Sequence, residues 1–155
     1  MTLMLLTACG GGGGDDGSGG TDPVDKFLGT WAVCIPFSTP AGQASARTAL
    51  TISGKTSATR VTFATTVTAF PNASCSGPVS SPAVAVNELS GTVVIDAVGT
   101  GPAGADKLTL TLASGATEKD IALRSGNQLQ FGNTSPVDAQ GYPTTLATDL
   151  IFTRQ

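Results

Sequence analysis

Three cysteines, one pair of neighbouring acids and one glycine-rich hexapeptide are the residues through which this sequence could do chemistry. The cysteines divide into one plus two. Cys9 ends a short apolar run and precedes five consecutive glycines, outside any segment able to build a core, whereas Cys34 and Cys75 sit among strand-like residues. In an oxidising compartment Cys34 and Cys75 would pair, and in a reducing one they would stay free buried thiols. Histidine is absent, which removes the commonest general base and the commonest metal ligand. No Gly-x-Ser-x-Gly elbow occurs. Glu118 and Asp120 have alternate-strand spacing beside a turn and flank Lys119, a pattern that reads as a solvated hairpin end. A site of two carboxylates drawn from distant strands is the one catalytic arrangement left open, and the chain is not expected to be an enzyme.

Two further motifs fail on mechanism. Gly99-Thr100-Gly101-Pro102-Ala103-Gly104 fits G-x-G-x-x-G letter by letter. A dinucleotide fingerprint must open a helix whose first amides hold pyrophosphate. Here the period-two run Lys107-Leu108-Thr109-Leu110-Thr111-Leu112 follows instead, so the hexapeptide is expected to be a hairpin loop. Asp15-Asp16-Gly17 lacks the spaced oxygen ligands and closing Glu of a calcium loop. Neither a cofactor nor a metal is expected.

The elements that must position these residues are strands. Charged residues make up 12% of the chain, while Gly, Thr, Ser, Ala and Val dominate, a composition that favours strands and turns. Asp22-Pro23-Val24-Asp25 reads as a single helical turn, with Asp22 as cap and Pro23 at its first position. A first strand over 26–34 should stop at Pro36. Arg47 to Ile52 alternates polar with apolar, and Gly54 to Ser57 should turn it into a long strand through Phe70. There Val61, Phe63, Val67 and Ala69 share one face, with Arg60, Thr62, Thr66 and Thr68 on the other. Pro71 to Pro78 reads as a loop. Further strands are expected over 84–88, 91–98, 107–113, 119–124, 127–131 and 146–154. Eight or nine strands in meander order imply an all-β fold, a small antiparallel up-and-down barrel of about eight strands, with an antiparallel sandwich as the rival.

Charge is segregated along the 155 residues. Four of the eleven acids, Asp15, Asp16, Asp22 and Asp25, precede residue 26, and all eight basic residues lie at or after it. The body therefore carries seven acids against eight bases, which gives no electrostatic footprint for nucleic acid and no polybasic patch for lipid. The length fits one core.

Leu6-Thr7-Ala8-Cys9 resembles a bacterial lipobox, an apolar residue and two small residues before a cysteine that becomes diacylglyceryl-modified. The resemblance implies lipid attachment at Cys9, with residues 1–8 as the end of a signal peptide. That segment has no Lys or Arg and a short apolar run, so a start further upstream is expected. Residues 9–25 are then a lipidated cysteine and a flexible Gly/Asp-rich tether, and 26–155 a single barrel domain. Gly10, rather than an inner-membrane retention aspartate, implies the periplasmic face of the outer membrane of a bacterial envelope. Export there would favour the Cys34–Cys75 disulfide.

Asp25-Lys26-Phe27-Leu28-Gly29-Thr30-Trp31 resembles the Gly-x-Trp motif that opens the first strand of lipocalins and their calycin relatives. In that family a short helical turn precedes the motif, and a basic residue of the last strand packs across the Trp to close the barrel floor. The matching residues are Gly29, Trp31 and Arg154. The resemblance implies a barrel that binds a small apolar ligand or lipid, with Val61, Phe63, Leu108, Leu110, Leu112, Leu129, Phe131, Leu150 and Phe152 lining its interior. The same residues could equally fill it. The protein would then be a structural or inhibitory envelope module that meets a protein partner through loops such as 37–46 or 74–82. A monomer is expected in either case.

Overall fold

The computed structural model describes residues 22–79 and 89–155. Leu6 to Cys9, the tether as far as Thr21, and the strand expected over 84–88 lie outside the described residues. Eight strands follow one another: β1 (Gly29–Thr39), β2 (Gly42–Ser57), β3 (Arg60–Phe70), β4 (Ser90–Ala97), β5 (Asp106–Leu112), β6 (Thr117–Ser125), β7 (Gln128–Gly132) and β8 (Leu146–Arg154). Each pairs antiparallel with the next, and β8 returns to β1, giving a closed up-and-down barrel rather than a sandwich. Closure at the floor end joins the two edges that an open meander would leave apart.

Period-two alternation sets which side chains enter the barrel. Leu50 and Ile52 of β2, Val61 and Phe63 of β3, Ile95 of β4, Leu108 of β5, Ala122 of β6 and Leu129 of β7 are buried in one cluster. Val24, Phe27 and Trp31 complete that cluster at the end where the chain enters. A 3-10 turn over Asp25–Phe27 crosses this end. Val24, not Asp22, is its cap residue; the Asp22 carboxylate is instead 2.7 Å from Lys55 Nζ on β2. Because Val24 is fully buried, residues ahead of position 26 already belong to the packed body.

Two expected strand ends lie inside strands instead. Pro36 does not stop β1, which runs on beside β2 to the Thr39–Gly42 pair. The reason lies on the other side of the strand. β1 pairs with β8 only at Trp31–Arg154 and Ala32–Thr153, so Pro36 falls where β1 has a single neighbour and a missing N–H is tolerated. Gly54 to Ser57 is not a turn either. It continues β2 through a register irregularity between Ser53 and Ser57, with Gly54 at φ +58°, and the reversal comes at Ala58-Thr59. The hexapeptide 99–104 is the connection between β4 and β5, closed by the Gly101 N–H on the Ala105 carbonyl at 2.8 Å.

Two segments fold back onto the outside of the wall. The loop after β3 is tied to β1 by the Cys34–Cys75 disulfide, with Cα atoms 5.9 Å apart. Beneath it Ser45 is fully buried and receives the Cys75 N–H on its hydroxyl at 2.9 Å. Residues 133–145 form a strap over β5 and β6, where Tyr142 packs with Ala105 and Ile121 in a second, smaller core.

Candidate functional site

The floor of the barrel is built around Trp31. Its indole N–H donates to the Phe27 carbonyl at 2.8 Å, which fixes the ring beneath the entering turn. The Arg154 guanidinium carbon lies 5.7 Å from the ring centre and that of Arg124 5.9 Å, both within reach of a cation–π attraction. Arg124 also donates to the Lys26 carbonyl and Arg154 to the Leu28 carbonyl. Gly29 suits this position through its backbone: it adopts φ +127°, which L side chains rarely take, beside the Arg154 guanidinium. The turn is held from two further sides, by Lys55 on Asp25 at 2.7 Å and by Lys26 on the buried Asp106 at 2.8 Å. The Lys55 ammonium holds the Asp25 carboxyl below the usual carboxylate range.

Above the floor the barrel is not filled. A cavity of about 260 Å³ lies between Phe27 and Val24 at its base and Leu89 and Glu118 at its mouth, just below the usual range for small-molecule sites of roughly 300–1,000 Å³. Its wall is supplied by Leu50 and Ile52 of β2, Val61 and Phe63 of β3, Val93 and Ile95 of β4, Leu108, Leu110 and Leu112 of β5, and Phe131 and Phe152 of β7 and β8. The Phe131 and Phe152 rings meet edge to face, 5.8 Å apart. At the mouth Leu89 is half exposed and is fixed to β3 through the Thr65 N–H on its carbonyl at 2.8 Å.

Two carboxyl groups interrupt this apolar surface. Asp120 faces the cavity from β6 and is half-buried, which corrects its reading as part of a solvated hairpin end, whereas Glu118 borders the cavity and is exposed, in keeping with that reading. Alternation sends Lys119, between them, to the outer wall, where it donates to Tyr142 Oη at 2.7 Å. Asp120 Oδ1 accepts the N–H groups of Ile121 at 2.7 Å and Gly132 at 2.9 Å. Burial pushes the Asp120 carboxyl up to about 6, and the Glu118 charge adds to the rise against those two hydrogen bonds. Among the described residues no cluster of His, Cys, Asp or Glu is placed to hold a metal ion.

Of the residues expected inside the barrel, Val61, Phe63, Leu108, Leu110, Leu112, Phe131 and Phe152 line the cavity. Leu129 is fully buried in the core beside it. Leu150 departs from expectation: it is 39% exposed, in a stretch of β8 where the pairing with β7 shifts register between Ile151 and Leu146 and β1 is not paired. Gly29, Trp31 and Arg154 are brought together at the floor. Sequence reasoning missed Arg124 and the inward direction of Asp120, although both share the parity of the buried Ala122 on the same strand.

These features define a closed eight-stranded antiparallel barrel with a largely apolar internal cavity. Comparison with protein-family models, with curated proteins and with solved structures finds no match to the chain.

Proposed function

We propose that the protein is a non-enzymatic carrier of a small, largely apolar molecule, held at the bacterial envelope by a lipid on Cys9. The observation that carries this reading is the 260 Å³ cavity with its leucine, valine and phenylalanine wall. Protein interiors are ordinarily packed to the density of organic crystals, so a space of this size inside a small barrel forgoes several side chains' worth of packing. A barrel serving only as a structural module would gain stability by filling it. The lipobox resemblance of Leu6-Thr7-Ala8-Cys9 and the calycin-like Gly29, Trp31 and Arg154 support the same reading, with the barrel as monomer on the periplasmic face of the outer membrane.

The test is calorimetric titration of the purified full chain with n-octanol. One saturable site is expected, and Leu110→Trp, which places an indole in the cavity, should remove it while thermal unfolding stays cooperative. Equal binding by wild type and Leu110→Trp, or none by either, would overturn the carrier reading in favour of a partner-binding module.

A further inference from the structure

The cavity carries its own selectivity, written in the charge of its wall. Among the described residues its polar lining is Thr65, Glu118 and Asp120, with no lysine or arginine. Lys119, the nearest cation along the chain, is committed to Tyr142 on the far side of the sheet. Asp120 is oriented rather than free: Gly132 and Ile121 fix Oδ1, while among the described residues Oδ2 accepts no hydrogen bond. Glu118 lies one pleat further toward the mouth on the same face. Among the described residues the upper part of this apolar chamber thus holds two carboxyl groups without a counter-charge, Asp120 opposite Leu108 and Glu118 opposite Leu110.

We propose that the cavity takes a small amphiphile with a cationic head, an alkylammonium group seated between Asp120 Oδ2 and Glu118 with its apolar tail toward Phe27 and Ile52. This rests on the cavity being the binding site. The chemistry discriminates among heads. A fatty carboxylate would add a third negative charge in a sheltered site, which is unfavourable without a cation. A neutral alcohol can donate one hydrogen bond to Asp120 but leaves both charges uncompensated. An ammonium group donates up to three hydrogen bonds and supplies the missing charge, and such charge-assisted bonds are about twice as strong as neutral ones. Among the described residues Glu118 and Asp120 are the titratable groups facing the head. The flanking strands present Leu108 and Leu110 from β5, and Phe131 and Gly132 from β7, none of which titrates.

The experiment compares octylammonium, n-octanol and octanoate on the full chain at pH 7.5 by calorimetry. Octylammonium should bind roughly tenfold or more tighter than n-octanol, with octanoate weakest. Asp120→Asn keeps an oxygen for the Gly132 N–H and should bring the ammonium down to the level of the alcohol; Glu118→Gln should weaken it in part. The wild type provides a check that needs no variant: the ammonium preference should shrink between pH 7.5 and pH 5 as Asp120 takes up its proton. Equal affinity for ammonium and alcohol, a preference that survives Asp120→Asn, or one indifferent to pH would overturn the head-group assignment while leaving the carrier reading in place. Failure of all three ligands to bind would remove both.

Discussion

The Arg124 guanidinium carbon stands 5.9 Å from the centre of the Trp31 indole, so the tryptophan that opens β1 is met by a cation from β6 as well as by Arg154 from β8. Arg124 spends its other donors on the Lys26 and Gly126 carbonyls, linking the entering turn to the β6–β7 connection. Arg124→Met should lower stability by about 1–2 kcal/mol in urea unfolding, and Arg154→Met by a similar or smaller amount. Because both act on one ring and one turn, the double variant should depart from the sum of the singles by more than about 0.5 kcal/mol. Strict additivity would mean that the two cations do not share the indole.

Removal of the disulfide tests the wall rather than the floor. Cys34 and Cys75 are 41 residues apart in sequence, and a loop of that length corresponds to about 4 kcal/mol in the chain-entropy model. Cys34→Ser and Cys75→Ser should each destabilise by a few kcal/mol, and the double variant should be no worse than either single. Chemical denaturation with and without reductant measures this. A reductant that lowers the midpoint of wild type but not of the variants is the expected signature.

Asp120 gives stability a pH dependence of defined sign. Its carboxyl is raised to about 6 in the folded state, above the unfolded value near 3.9. Such a group binds its proton more readily when folded, so it destabilises the barrel above pH 6 and the penalty disappears as pH falls from 6 toward 4. The full penalty is on the order of 3 kcal/mol. Asp120→Asn should therefore raise the melting temperature by several degrees at pH 7.5 and leave it nearly unchanged at pH 4.5. Asp25 and Asp138, held low by Lys55 and Lys107, act in the opposite sense: their stabilisation is lost as the pH drops below their unfolded values near 3.9. A Tm difference for Asp120→Asn that is the same at both pH values would contradict this account.

Lipid attachment predicts a change of location. Cys9→Ser should abolish incorporation of labelled fatty acid and move the protein from the membrane fraction to the soluble periplasm. Unchanged fractionation would show that Cys9 does not anchor it.

Much of the barrel was legible because most strands alternate cleanly. Leu108, Leu110 and Leu112 interleave with Lys107, Thr109 and Thr111, and that alternation, repeated along short connections, is enough for meander order. The interior was harder where the outer wall carries apolar cover of its own. On β6 the larger hydrophobes, Ile121 and Leu123, face outward under the strap around Tyr142, while Asp120 and Ala122 face in. Polarity alone therefore points the wrong way at Asp120, which reads as solvent-facing although it is half-buried against the cavity. Phe70 and Ser45 are buried under the disulfide-tied loop in the same manner. Pro36 misled for a different reason: whether a proline stops a strand depends on a neighbour that the local sequence does not name.

Among the described residues β1 has no second strand neighbour beyond Ala32. The hoop of the barrel is fastened by two residue pairs, Trp31–Arg154 and Ala32–Thr153, and past this clasp Ile35 and Phe37 on one lip and Leu150 on the other stand exposed. The ring thus has one seam that is paired at the floor and left unpaired above it, and the indole with its two guanidinium neighbours sits at the paired end.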